Sequence, residues 1–171
     1  MNRISTGVIF ALLAFVSVTC GRVTFNMSGA DIGNAKTCQI NYFENRADIV
    51  NSRLSAQMTD ALKDKIQSST SLRLVNSNAD VMFEGEITGY SIQPQQVKAD
   101  GKPAEDRLTI TVKVKFTNML DSDKSSDKSF SRFLQAATGT ITPSSSVEDK
   151  LVEEILVELM EDIFNEAFAN W

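Results

Sequence analysis

The sequence predicts an α+β fold: a two-layer sandwich with two helices packed on one face of a small mixed or antiparallel sheet of about four to five strands. Three observations predict it. Apolar residues recur every four positions between Leu54 and Ile66, two long runs of alternating apolar residues match each other in register, and a second helical stripe closes the chain.

Thr37 to Phe43 reads as a first strand, with Cys38, Ile40 and Tyr42 on one face. Asn51 is placed as the N-cap of a helix running from Ser52 to about Ser68. Leu54, Met58, Leu62 and Ile66 form its buried stripe, and Asp60, Lys63, Asp64 and Lys65 lie mainly off it. Leu72 to Val75 is a short strand, followed by the turn Asn76-Ser77-Asn78.

Two long strands come next, Asp80 to about Ile92 and Arg107 to Asn118. Val81, Phe83, Gly85, Ile87 and Gly89 make one face of the first, and Leu108, Ile110, Val112, Val114 and Phe116 one face of the second. If Gln93 faces Asp106, Phe83 lies opposite Phe116 and Ile87 opposite Val112. The other face then sets Glu84 against Lys115 and Glu86 against Lys113. A one-residue slip would bury the charges, so both faces fix one register. Gly85 and Gly89 fall against Val114 and Ile110, leaving room for bulky side chains or a helix. Gln93 to Asp106, with Pro94, Gly101 and Pro103, is a long hairpin loop.

After a polar turn from Asp121 to Asp127, a further strand covers about Ser129 to Leu134. Ser145 and Glu148 have the spacing of a capping box for a last helix from about Ser146 to Ala169. Val147, Leu151, Ile155, Leu159 and Ile163 form its apolar stripe, extended by Phe164 and Ala167, and most of its eight acids fit a solvated face.

The chain's 171 residues suffice for one domain, and 42% hydrophobic with 23% charged is an ordinary globular composition. A net charge of -5 disfavours a nucleic-acid partner. There is no histidine, which removes the commonest general base and metal ligand. No GxSxG elbow, Walker A motif or GxGxxG is present. Glu84 and Glu86 share a face but read as ion-pair partners of Lys115 and Lys113. The sequence nominates no catalytic set, no metal site and no cofactor.

Arg3 precedes a continuous apolar run from Val8 to Val18 that is too short to span a bilayer and reads as a secretory signal. Cys20 follows directly. One reading is acylation of its thiol after cleavage; the other is ordinary signal cleavage near Thr19 or Gly21. Ser17-Val18-Thr19 departs from the usual lipobox, which prefers Leu three residues before the cysteine and Gly or Ala just before it. The expected division is 1–19 signal peptide, 20–36 lipidated N-terminus and tether, and 37–171 a single domain. Cys38 reads as a small buried hydrophobe. Lys98 and Lys102, on the hairpin loop, are either solubilising or ligand-facing.

These segments resemble the LptE family of lipopolysaccharide-assembly lipoproteins. The likeness runs through CGRVTFNMSGADI, QINYFENRADIVN, ALKDKI, FEGEITGY, RLTITVKVKFTN, SFSRF and VEDKLVEEILVELMEDIFNEAFANW, in order along the mature chain. The resemblance implies a non-enzymatic outer-membrane lipoprotein on the periplasmic face. It implies an LptD-type β-barrel as partner, whose polar lumen the protein plugs, and lipopolysaccharide as the molecule delivered. It also implies that Lys98 and Lys102 occupy the region associated with lipopolysaccharide. The alternative carried from the residues is a free periplasmic lipid-binding lipoprotein, which requires an apolar cavity of about 300 Å³ or more.

Overall fold

A computed structural model describes residues 30, 32–49, 51–95 and 105–168. The elements are β1 (Thr37–Ile40), β2 (Glu44–Asn45), α1 (Leu54–Ser69), β3 (Arg73–Leu74), β4 (Val81–Gln95), β5 (Glu105–Asn118), β6 (Ser126–Ala137) and α2 (Ser146–Phe168). One mixed sheet runs β3-β1-β4-β5-β6, with β2 continuing alongside β4. β1 is parallel to β3 and β4, and β4, β5 and β6 form an antiparallel meander. α1 lies over β1, β2 and β3, and α2 over β5 and β6. The predicted class is the observed one.

α1 buries the predicted residues, Leu54, Met58, Leu62 and Ile66, all fully. Each contributes about 1.5–3 kcal/mol by leaving water. Its start differs from the expectation. Arg53 takes the N-cap position without a side-chain cap, and Asn51 sits two residues earlier, accepting the Arg53 N–H at 3.1 Å in a local turn. α2 is apolar on a wider front, because it meets both the sheet and α1. Val152, Leu156 and Met160 are buried beside the expected stripe. The helices run parallel: Arg53 pairs with Asp149 and Lys65 with Glu161, each 96 residues apart.

The β4–β5 register holds as expected up to Ile87, with Phe83 opposite Phe116, Glu84 opposite Lys115, Gly85 opposite Val114 and Ile87 opposite Val112. It then shifts by one residue at a bulge between Ile87 and Gly89. Gly89 therefore faces Thr111 rather than Ile110, and Tyr90 takes the place opposite Ile110. An extra residue in one strand reverses which side chains point inward, so Tyr90 is buried in the core. The strands also extend further than expected, to Gln95 and from Glu105. Pro94 is tolerated inside β4 because β1 and β2 reach only to Ile87, leaving that side of the strand unpaired among the described residues.

A second irregularity divides the expected first strand. Ile40 pairs with Phe83 and Glu44 with Glu86, so four residue steps oppose three. The slip turns Tyr42 outward, 60% exposed, and carries Phe43 fully into the core. The Phe43 ring then lies across Gly85. A Cβ there would stand 2.7 Å from ring carbons Cδ1 and Cζ, so glycine is required at this position. Beyond it, Phe83, Phe116, Phe164 and Phe168 form a chain of ring contacts with centroids 4.9–6.0 Å apart, closing the core at the end of α2.

Candidate interaction surfaces

The sheet's uncovered face carries rows of charge. Lys115 pairs with Glu84 at 3.6 Å, as the register predicts. The second predicted pair re-partners: Glu86 takes Arg46 at 3.2 Å and Lys113 takes Asp127 at 3.4 Å. Both choices arise beside the hairpin, from Arg46 just after β2 and Asp127 in β6, which compete for its charges. These side chains line an open, shallow hollow of about 440 Å³. Further along the face, the Arg107 guanidinium stacks 4.2 Å above the half-exposed Phe133 ring. Exposed pairs of this kind contribute about 0–1 kcal/mol each, so the face is balanced in charge rather than strongly stabilising.

On the covered side, β6 is fastened to α2 by ions. Arg132 donates two hydrogen bonds of 2.6 Å to Asp162, and Lys128 approaches Glu166 at 2.6 Å. The Asp162 carboxylate raises the Arg132 pKa above its ordinary value. The acids of α2 thus serve partly as docking points for the outermost strand.

At the pole bearing the β4–β5 loop, a buried polar cluster replaces one of the expected solvent-facing acids. Glu148 is only 3% exposed. It accepts the Tyr90 hydroxyl and the Ser144 N–H, with the Asn51 amide at 3.5 Å. Its own N–H donates to Ser145 Oγ at 3.1 Å. The capping box is therefore half formed: Ser145 caps as predicted, while the Glu148 carboxylate turns inward to Tyr90. Burial first, then Glu148, pushes the Tyr90 phenol well above its ordinary range. A carboxylate filled by three donors is a strut rather than a base. Nearby, Asp106 accepts the Gly139 N–H at 2.7 Å, joining the root of the β4–β5 loop to the β6–α2 loop. Gly139 adopts φ +79°, which favours glycine.

At the opposite pole, Asp80 accepts the N–H groups of Lys36 and Thr37 at 2.8 and 3.0 Å and the Thr37 hydroxyl at 2.9 Å. These bonds hold its carboxyl below the usual range. Ala30 and Ala35, from the segment expected to be tether, are buried against the core. A second hollow of about 240 Å³ opens here, between Ile32–Ala35, Leu120 and Phe168.

Of the residues nominated from sequence, Cys20, Lys98 and Lys102 lie outside the described residues. Cys38 is fully buried, and burial pushes its thiol up to about 12. Among the described residues no cluster of three or more acidic, histidine or cysteine side chains is arranged to hold a metal, and no helix is long and apolar enough to cross a membrane. Neither hollow is the enclosed apolar cavity that a carried lipid requires. Sequence reasoning missed Tyr90, Asp106 and the inward turn of Glu148.

Comparison with solved structures bears on the fold alone. A hypothetical protein, CT253, from Chlamydia trachomatis is similar with a TM-score of 0.53 at 11% identity, covering 79% of this chain and 99% of the other. A putative neuraminyllactose-binding hemagglutinin homolog from Helicobacter pylori gives 0.50 at 9% identity, covering 80% and 88%. The rare lipoprotein B from Shewanella oneidensis gives 0.48 at 14% identity, covering 74% and 91%. No curated protein sequence matches. The family model for lipopolysaccharide assembly, LptE, matches residues 35–167, from the start of β1 almost to the end of α2. The chain belongs to the LptE family of lipopolysaccharide-assembly proteins.

Proposed function

We propose that this chain is an outer-membrane lipoprotein, anchored through Cys20 after removal of residues 1–19. It plugs an LptD-type β-barrel, aids the barrel's assembly and helps deliver lipopolysaccharide to the cell surface, without catalysing a reaction. The family membership carries this reading. The uncovered sheet face supports it. A surface of mixed charges, several already paired with one another, enters a polar barrel lumen without stranding an ion. Lys98 and Lys102 fall in sequence between β4 and β5, and the Asp106 bond that fixes the start of β5 gives a stiff base for a segment that meets a large anionic glycolipid.

A photocrosslinking amino acid at Phe133, aromatic for aromatic on the uncovered face, tests the reading in cells. An adduct with a large outer-membrane β-barrel is expected. Adducts confined to inner-membrane transporters or soluble periplasmic proteins would overturn it.

A further inference from the structure

The turn between β5 and β6 holds two adjacent large apolar side chains in solvent, Met119 at 64% exposed and Leu120 at 55%. The backbone beneath them is fixed. Met119 N–H donates to the Asp80 carbonyl at 2.8 Å, and the N–H groups of Leu120 and Asp121 donate to Asn118 Oδ1 at 2.9 and 3.0 Å. A short helical turn, Ser122–Lys124, follows at once. The side chains are thus presented by a rigid turn rather than a slack loop.

Position gives the pair its meaning. Ile32–Ala35, the first described stretch of chain, borders the same hollow as Leu120. Cys20 precedes Ala30 by ten residues, and ten residues fully extended reach at most about 35 Å. A lipid on Cys20 therefore keeps this pole close to the bilayer. The β4–β5 loop lies at the far end of β4, whose 15 residues span about 50 Å. Among the described residues, the exposed large apolar side chains are Tyr42, Ile49, Met119, Leu120, Phe133 and Val157; of these only Met119 and Leu120 are sequence neighbours, and they sit at the tethered pole.

We propose that the Met119–Leu120 turn is a second membrane contact, inserting into the interfacial layer of the phospholipid leaflet that carries the Cys20 lipid. This rests on the reading of Cys20 as acylated. Two side chains alone bind a bilayer weakly. On a short tether their insertion is intramolecular, at high effective concentration, and needs little intrinsic affinity. The contact would fix the orientation of the domain and point the β4–β5 loop away from the leaflet.

The test uses the full lipoprotein purified from membranes, with Met119→Cys labelled by an environment-sensitive fluorophore. Thr138→Cys at the opposite pole is the control, and buried Cys38 takes no label. The protein is reconstituted with phosphatidylethanolamine–phosphatidylglycerol vesicles containing a shallow spin-labelled lipid, and flotation reports anchoring. The expected result is co-flotation with blue-shifted, quenched emission at 119 and unchanged emission at 138. Co-flotation without quenching at 119 overturns the membrane contact and leaves the anchor standing. Failure to float, with no acyl group on Cys20 by mass spectrometry, overturns both. A label at 119 already buried without vesicles assigns the turn to the chain's own residues 21–29 and overturns the contact.

Discussion

Replacing Gly85 with alanine is the sharpest test of how the core is built. The added methyl would meet the Phe43 ring, with Cδ1 and Cζ at 2.7 Å and Cε1 closer still. Phe43 is fully buried, so a shift of its ring disturbs the core around it. Overpacking of this kind costs about 1–3 kcal/mol. Against it stands a gain of roughly 0.5–1 kcal/mol from restricting a strand glycine. The net loss runs from about zero to about 2.5 kcal/mol, and its midpoint of roughly 1.3 kcal/mol corresponds to a fall of roughly 3–5 °C in Tm for a domain of this size. Thermal unfolding of the purified protein, followed by far-ultraviolet circular dichroism, measures it. Phe43→Leu in the same background should recover part of the loss, giving a coupling of about 0.5 kcal/mol or more between the two sites. A Gly85→Ala protein as stable as the parent, with no coupling to Phe43→Leu, would refute the ring-on-glycine packing.

Three further outcomes follow from the polar groups. Tyr90→Phe leaves the buried Glu148 carboxylate short of a donor and should cost about 1–3 kcal/mol in urea unfolding; an unchanged midpoint would show that the pair is not formed. Cys38 should resist thiol reagents in the native protein and react only on denaturation. Its pKa is raised to about 12, so its contribution to stability is present below the unfolded thiol's pKa and is lost as pH rises toward 12; rapid native labelling would contradict its burial. The Asp80 carboxyl is held low by the Lys36 and Thr37 N–H groups, so its contribution is present above the ordinary carboxylate pKa and is lost as pH falls through the depressed value. Asp80→Asn should flatten that acid limb in a pH series of unfolding midpoints.

The helices and the central hairpin were legible because their signals are periodic and redundant. The stripe Leu54, Met58, Leu62, Ile66 and the double match of Phe83 with Phe116 and Glu84 with Lys115 leave one arrangement that satisfies both core and charge. What escaped sequence reading traces largely to two single-residue slips. The first inserts one residue with no glycine or proline beside it and the second falls next to Gly89, and each leaves a mark: apolar spacing of three where two is expected, Ile40 to Phe43 and Ile87 to Tyr90. A phase change of that kind turns the following side chains to the other face. Because Tyr90's inward turn was not foreseen, Glu148 read as one acid among eight on a solvated helix face. The Glu86–Lys113 pair shifted partners for a different reason, since Arg46 and Asp127 become neighbours of these charges only in the folded sheet. Cys20, Lys98 and Lys102 rest on sequence and family likeness alone, and their roles are part of the proposal.

The central claim is that this chain works inside a complex with a transport barrel. Its most direct measurement is affinity purification of the tagged full-length protein from detergent-solubilised outer membranes, with the co-purified proteins identified and quantified by mass spectrometry. A large β-barrel recovered in roughly stoichiometric amount is the predicted result. Recovery of the protein alone, or with an inner-membrane transporter in its place, would contradict the account.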